Sequence, residues 1–350
     1  MKPVRLAVVG AGLVGKRHAE LVAASPFCEL VAVCDHDPKL QSIAAACKAP
    51  FYRDLEKLLK NERPHGAIIS TPNGQHANVT EVCATHSVHV LIEKPIADSV
   101  ADAQRIVRLV EENDIRAVVG HHRRFNPFVQ ETKSLIQRGD LGRLVAVSML
   151  WALKKPTEYF DVAWRGQRPG GGPTMINLIH ELDLLRFLCG EIRQVYAQGS
   201  SKVRSLEVED SLTISLSFEN GAIGSIVASD ATPSPWSYEA TTHENPLYFH
   251  TDENCYNFLG TEGSLSFPNL QLWRYRDGSP AGWQHPLETL RNKVMRVDPL
   301  RDQLEHFCQV IRGEEAPLVE TRDGARSLDL VLSVLESIQT GAPVSMTQRP

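Results

Sequence analysis

Residues 4–15, VRLAVVGAGLVG, decide the fold. Val4–Val9 is a short, nearly continuous apolar run, as expected of a strand buried on both faces of a parallel sheet. Gly10, Gly12 and Gly15 follow it directly in G-x-G-x-x-G spacing, and a helical stretch runs from about Gly15 to Ala24. Each glycine has its own task in such a strand–turn–helix unit. Gly10 permits the tight turn, Gly12 lets the backbone approach a pyrophosphate, and Gly15 allows close helix–sheet packing. The unpaired N–H groups of the helix N-terminus then face the phosphates.

Outward from this turn the alternation continues. Glu29–Cys34 is a second apolar run, ending at Asp35. Helices are expected over about Pro38–Ala46, from about Asp54, near Ala77–Thr85 and at about Ser99–Asn113. Strands are expected near Phe51–Tyr52 and at Ala67–Ser70, His89–Glu93 and Ala117–Gly120. Such alternation implies a parallel sheet with helices on both faces, and ligands bind at the carboxyl ends of its strands. Asp35 lies at one of those ends. Its carboxylate can accept hydrogen bonds from an adenosine ribose and would repel a 2′-phosphate, which favours NAD over NADP. No arginine follows closely, the next residues being His36, Asp37 and Pro38.

The second half has a different rhythm. Leu144–Trp151, Val195–Ser201, Asp210–Phe218, Gly221–Ser229, Asn257–Gly260 and Ser264–Phe267 are strand-like, several joined by Asn-Gly or Glu-Gly turns. The expected architecture is an α/β Rossmann domain over 1–122, followed by an α+β domain over 123–350 with a large, open, predominantly antiparallel sheet. Helices at Thr174–Leu188 and Asp298–Arg312 flank that sheet, the latter with Asp298 as N-cap and Gly313 as stop signal. Loops at about Thr232–Pro246 and Asp277–Pro286 are rich in Pro, Trp, Tyr and His, as lids or subunit contacts are.

Composition narrows the classes. The 350 residues are 42% hydrophobic and 23% charged, ordinary for a soluble globular protein. No apolar run approaches the ~20 residues of a membrane helix, and none resembles a secretory leader. A net charge of -5 without a basic tract argues against nucleic acid as a partner. Seven scattered cysteines, none in a CxxC pair, fit buried thiols in a reducing compartment rather than a metal site, so a cytoplasmic protein is expected.

Two further motifs carry chemistry. Thr71-Pro72-Asn73-Gly74-Gln75-His76 follows the strand ending at Ser70, and is either a cofactor-edge loop or simply a loop and helix cap. Glu93-Lys94-Pro95 ends the next strand, where an ammonium would reach the nicotinamide and stabilise a developing alkoxide.

In combination these features resemble the Gfo/Idh/MocA oxidoreductases, named for glucose–fructose oxidoreductase and inositol dehydrogenase. The resemblance continues through Arg123-Arg124-Phe125-Asn126-Pro127, Trp164-Arg165, Gly170-Gly171-Gly172, His180-Glu181-Leu182-Asp183, the Gln303…Phe307 helix and Asp323-Gly324. It implies hydride transfer between NAD and a secondary hydroxyl of a small sugar, cyclitol or sugar-derived acid. Implied cofactor contacts are Gly10, Gly12, Leu13, Val14, Gly15, Asp35, Ser70, Thr71, Pro72, Asn73, His76, Glu93, Lys94 and Arg123. Lys94 and His180 are the implied catalytic residues, facing the nicotinamide from opposite domains. Arg124, Trp164, Arg165 and Asn177 join them as implied substrate contacts, and the Lys94–Pro95 bond is expected to be cis.

Many relatives carry an aspartate one turn before this histidine. Here that position is Ile176, which cannot relay a proton, while Asn177 can hydrogen-bond but not take one. His180 then acts as base alone, passes its proton to water, or mainly positions substrate. The arginines around the expected cleft, Arg168 included, suit either a substrate carboxylate or structural ion pairs. Two rivals stay open: a glycosidase that retains NAD and oxidises its sugar transiently, and a non-catalytic dinucleotide sensor, which needs neither Lys94 nor His180. An open sheet with one apolar face uncovered further implies a homodimer or homotetramer.

Overall fold

In the computed structural model of the chain, which describes residues 2–346, the first alternation forms a six-stranded parallel sheet. Its elements are β1 (Val4–Val9), α1 (Leu13–Ala24), β2 (Cys28–Cys34), α2 (Gln41–Ala46), β3 (Phe51–Tyr52), α3 (Leu55–Glu62), β4 (Gly66–Ile69), α4 (His76–Thr85), β5 (His89–Ile92), α5 (Val100–Glu112) and β6 (Ala117–Val119). The strand order is β3-β2-β1-β4-β5-β6. The order reverses between β1 and β4, so their carboxyl ends flank the crevice where a doubly wound sheet takes its ligand. Local chemistry sets the helix starts. Asp54 accepts from the Lys57 N–H ahead of α3, and Ser99 from the Asp102 N–H ahead of α5. The helix expected over Pro38–Ala46 opens instead with a 3₁₀ turn, Pro38–Leu40, capped by Asp37.

The second sheet has nine strands. The elements are α6 (Pro127–Gln137), β7 (Leu144–Ala152), α7 (Ile179–Cys189), β8 (Ile192–Ser200), β9 (Ser211–Phe218), β10 (Ile223–Ser229), α8 (Tyr238–Thr242), β11 (Tyr256–Gly260), β12 (Gly263–Phe267), β13 (Gln271–Arg274), β14 (Glu288–Arg291), α9 (Pro299–Arg312), α10 (Thr321–Thr340) and β15 (Val344–Ser345). The strand order is β14-β13-β12-β11-β7-β10-β9-β8-β15, antiparallel throughout except for the parallel β7–β10 pair. β9 alternates buried Leu212, Ile214, Leu216 and Phe218 with exposed Thr213 and Ser215. The register carries that alternation across the sheet, so Ile223, Val227, Leu259 and Trp273 share the outer face and all are exposed. Among the described residues no helix is long and apolar enough to cross a membrane.

Two readings of the sequence are corrected. The helix expected over Thr174–Leu188 begins as a π turn, Thr174–Leu178, and becomes α-helical only at Ile179. Such π turns recur at functional sites. The chain also divides differently from 1–122 and 123–350. One compact unit holds the described residues up to His122 together with Leu300–Asp329, and the other holds Arg123–Pro299 and the described residues from Leu330 onward. The returning segment groups with the first unit because its apolar stripe completes that core. Leu304, Phe307, Cys308 and Val310 are buried with Leu6, Val8, Ile68 and Val118. Arg116 then donates to the Val310 and Ile311 carbonyls at 2.7 and 2.9 Å, satisfying the end of α9.

Candidate active site

In the first unit the glycine turn is fixed by its neighbours. Gly10 has φ +90°, and a Cβ there would come within 2.6 Å of the Ser70 carbonyl and the Thr71 nitrogen. At Gly15 a Cβ would overlap the Gly10 carbonyl, whereas at Gly12 it would meet nothing within 4 Å. Ser70 Oγ donates to that same Gly10 carbonyl at 2.8 Å, bracing the turn from the end of β4. The start of α1 has no side-chain cap and no acidic residue in its first turn, and Leu13 and Val14 there are exposed. Its N-terminal N–H groups therefore suit an anion. Asp35 Oδ2 accepts from the Ala11 N–H at 2.7 Å and Oδ1 from the Asp37 N–H at 3.0 Å. A carboxylate has about four lone-pair directions, so these oxygens keep capacity for ribose hydroxyls. The residues present fit an NAD pyrophosphate and adenosine ribose.

The Lys94 turn is built on a buried carboxylate. Glu93 Oε1 lies 2.7 Å from His18 Nε2, and Oε2 accepts the Lys94 N–H at 3.2 Å. Burial by itself would push this carboxyl up. The hydrogen bond and charge of His18, with His122 and Lys94, outweigh it and hold Glu93 down at about 2. An ionised carboxylate thus anchors the backbone of Lys94, whose bond to Pro95 is cis. His76 is buried with Nε2 at 2.9 Å from the Thr71 carbonyl and Nδ1 at 3.1 Å from that of Pro95. It braces the Thr71–His76 loop against the Lys94 turn, and burial pushes its pKa down. His18 escaped the sequence reading. Its signal was a polar residue on the stripe of α1 that buries Gly15, Ala19 and Val22.

In the second unit His180 is the second residue of α7 and is buried, with Asn177 in the π turn just before it. Asn177 Oδ1 accepts from Lys155 Nζ at 2.8 Å. Lys155 was not singled out from the sequence. Lys155 and Arg165 lie over the Tyr159 ring, 4.7 and 4.2 Å from its centroid. Trp164 is exposed, and Arg168 Nε donates to the Glu207 carbonyl at 3.3 Å.

Arg123 and Arg124 make the structural ion pairs that the sequence left open beside ligand contact. Arg123 is buried between Glu181 at 2.5 Å and Glu239 at 2.7 Å, over the Tyr238 ring. Arg124 grips Asp183 with Nε and Nη2 at 2.9 and 2.6 Å. Both guanidinium groups are thus engaged by buried carboxylates, Glu181 and Asp183 just after His180 and Glu239 on α8. Glu181 also accepts from the Tyr256 hydroxyl. Burial foremost, then the neighbouring Glu239, pushes Glu181 up to about 7 against the pull of Arg123 and Tyr256.

A parallel sheet with this glycine turn and an aspartate at the end of β2 is the arrangement of a dinucleotide-binding domain. A family model described as oxidoreductase family, NAD-binding Rossmann fold matches residues 4–121, and one described as GFO/IDH/MocA C-terminal domain matches residues 129–266. The chain belongs to the Gfo/Idh/MocA family and is an NAD-dependent dehydrogenase acting on hydroxyl groups. It is 25% identical to scyllo-inositol 2-dehydrogenase (NAD(+)) of Bacillus subtilis over 98% of this chain and 96% of that protein. It is 32% identical to 2,7-anhydro-N-acetylneuraminate hydratase of Mediterraneibacter gnavus over 54% of this chain and 50% of that protein. The crystal structure of the WlbA dehydrogenase from Bordetella pertussis, in complex with NADH and UDP-GlcNAcA, superposes with TM-score 0.79 at 26% identity, covering 99% of each chain.

Proposed function

We propose that the protein moves a hydride between NAD and a secondary hydroxyl carbon of a sugar, cyclitol or sugar-derived acid. Bound NAD supplies the hydride chemistry at nicotinamide C4. In oxidation the Lys94 ammonium donates to the substrate oxygen and stabilises its developing charge, and His180 takes the hydroxyl proton. The observation that carries this reading is the buried His18–Glu93 pair holding the Lys94 backbone, placed at a strand end beside the glycine turn. The names of the inositol dehydrogenase and of the UDP-GlcNAcA complex support the substrate class. A panel of sugars, cyclitols and sugar acids, offered with NAD and NADP, tests it. Reduced cofactor is expected with at least one member, and its absence across the panel counts against the reading.

A second reading has one observation in its favour. The Mediterraneibacter relative is named a hydratase, and hydration needs no net oxidant. Product formed by NAD-loaded protein without accumulation of NADH would select transient oxidation instead. A sensor has no need of the Lys94 anchor.

Cofactor choice follows from Asp35. NAD is expected to exceed NADP in kcat/KM by about tenfold or more, ~1.4 kcal/mol. Asp35→Ser keeps an oxygen for the Ala11 N–H, removes the charge and should narrow the gap. Equal kinetics of the wild type with both cofactors would sink the assignment.

The outer sheet face supports self-association, and the seven free cysteines suit a reducing, cytoplasmic setting. Ile223, Val227, Leu259 and Trp273 are set among serines, threonines and asparagine, as in a face that closes on a second copy. Sedimentation at micromolar concentration should give a dimer or tetramer, and Ile223→Lys with Val227→Lys should give monomer. A monomeric wild type refutes the proposal.

A further inference from the structure

We infer that Lys155 and Asn177 form a receptor for a carboxylate on the substrate, a step that rests on the hydride-transfer reading and narrows it to sugar acids. Lys155 is only 7% exposed. Its backbone is locked beyond β7 by the Lys155 N–H donating to the Asp230 carbonyl at 2.9 Å. A buried ammonium needs a counter-charge, and this one has half of one. Asp230 Oδ2 is 3.4 Å from Lys155 Nζ, while Arg204 Nε holds Oδ1 of the same carboxylate at 2.8 Å. One carboxylate therefore serves two cations. Glu239, the other carboxylate whose charge acts on this ammonium, is taken by Arg123 and by the Trp151 Nε1–H at 3.0 Å. Arg165, stacked on the other end of the Tyr159 contact, has no carboxylate partner among the described residues.

The short bond of Lys155 goes to a neutral group, Asn177 Oδ1. Because an ammonium has only donors, that bond fixes the amide orientation and leaves Nδ2 as the other end. Asn177 makes no other hydrogen bond among the described residues. What remains to be satisfied is thus donors: the amide Nδ2, the ammonium and the Arg165 guanidinium. A hydroxyl brings a proton that must find an acceptor, whereas an ionised carboxylate only accepts. The excess of positive charge and the donor-only character favour the same ligand class. Asn177 precedes His180 by three residues, so a carboxylate held here lies close to the proposed base. A purely structural lysine would put its short bond on Asp230, which Arg204 has instead.

Matched probes with NAD-saturated protein test this: D-glucuronate against D-glucose, D-gluconate against D-glucitol, and UDP-N-acetylglucosaminuronate against UDP-N-acetylglucosamine. Each is followed by kcat/KM for NADH formation and, independently of turnover, by the ligand-induced shift in Tm. In the most active pair the acid should exceed its neutral partner by about 10²-fold, the scale of a desolvated charged hydrogen bond. Lys155→Gln, which keeps a donor for Asn177 and loses the charge, should cut that ratio below about tenfold. An unchanged ratio in a folded Lys155→Gln protein with normal NAD affinity overturns the receptor. So does a wild type that prefers the neutral partners, a result needing no variant and leaving the dehydrogenase reading intact. Neither NADH nor a Tm shift from any probe overturns both.

Discussion

Lys94→Ala is expected to lower turnover by about 10²-fold or more while changing NAD affinity little. The asymmetry follows from where each task is placed in the first unit. The groups that suit the dinucleotide are the Gly10–Gly15 turn, the uncapped start of α1 and the Asp35 carboxylate, none of which depends on the Lys94 side chain. The ammonium is assigned to charge that develops only as the hydroxyl is oxidised, so its loss falls on kcat. The Glu93 anchor engages the Lys94 backbone N–H, which alanine retains, so the turn itself should persist. Stopped-flow or steady-state NADH formation, paired with NAD titration by protein fluorescence, reads both quantities. Near-normal kcat would remove the lysine from the mechanism. A parallel collapse of NAD binding would instead assign it to the cofactor.

The features legible in the sequence were those set by local constraints. Gly10 and Gly15 are fixed by the turn between β1 and α1, and the buried strands show as apolar runs, so residues 4–120 announced their order. The outward positions of β9 and β10 alternate with inward apolar ones, which gave the second sheet. The strands β13 and β14 were missed because QLWR and ETLR are four residues each and too mixed to show a period. The destination of α9 was not legible either. An amphipathic helix shows that it has an apolar face, not which sheet Phe307 and Leu304 will cover. Charge partners are non-local for the same reason. Arg123 and Glu239 are 116 residues apart in the chain, so the arginines could be counted but not paired. Lys155 had no motif at all, and only its burial beside Asn177 distinguishes it.

His180→Ala is expected to remove most of the turnover, about 10²- to 10⁴-fold, together with the ascending limb of the pH–rate profile for alcohol oxidation. A general base works only once it has lost its proton, so the limb should track its ionisation. No residue of the preceding turn is itself acidic: Ile176 is apolar and the Asn177 oxygen is engaged by Lys155. A second group in α7 titrates near neutrality, however. Glu181 is pushed up to about 7, chiefly by burial, and loses its proton as pH rises through neutrality. Its hydrogen bonds run to Arg123 and Tyr256, so its titration alters that buried network rather than the substrate proton. Glu181→Gln separates the two. The limb should survive this substitution and vanish in His180→Ala. Ile176→Asp should move it to higher pH, because a nearby carboxylate favours the protonated imidazole. Loss of the limb in Glu181→Gln, with its retention in His180→Ala, would place the controlling ionisation in the buried network. Lys94 would then be the one remaining candidate for the base.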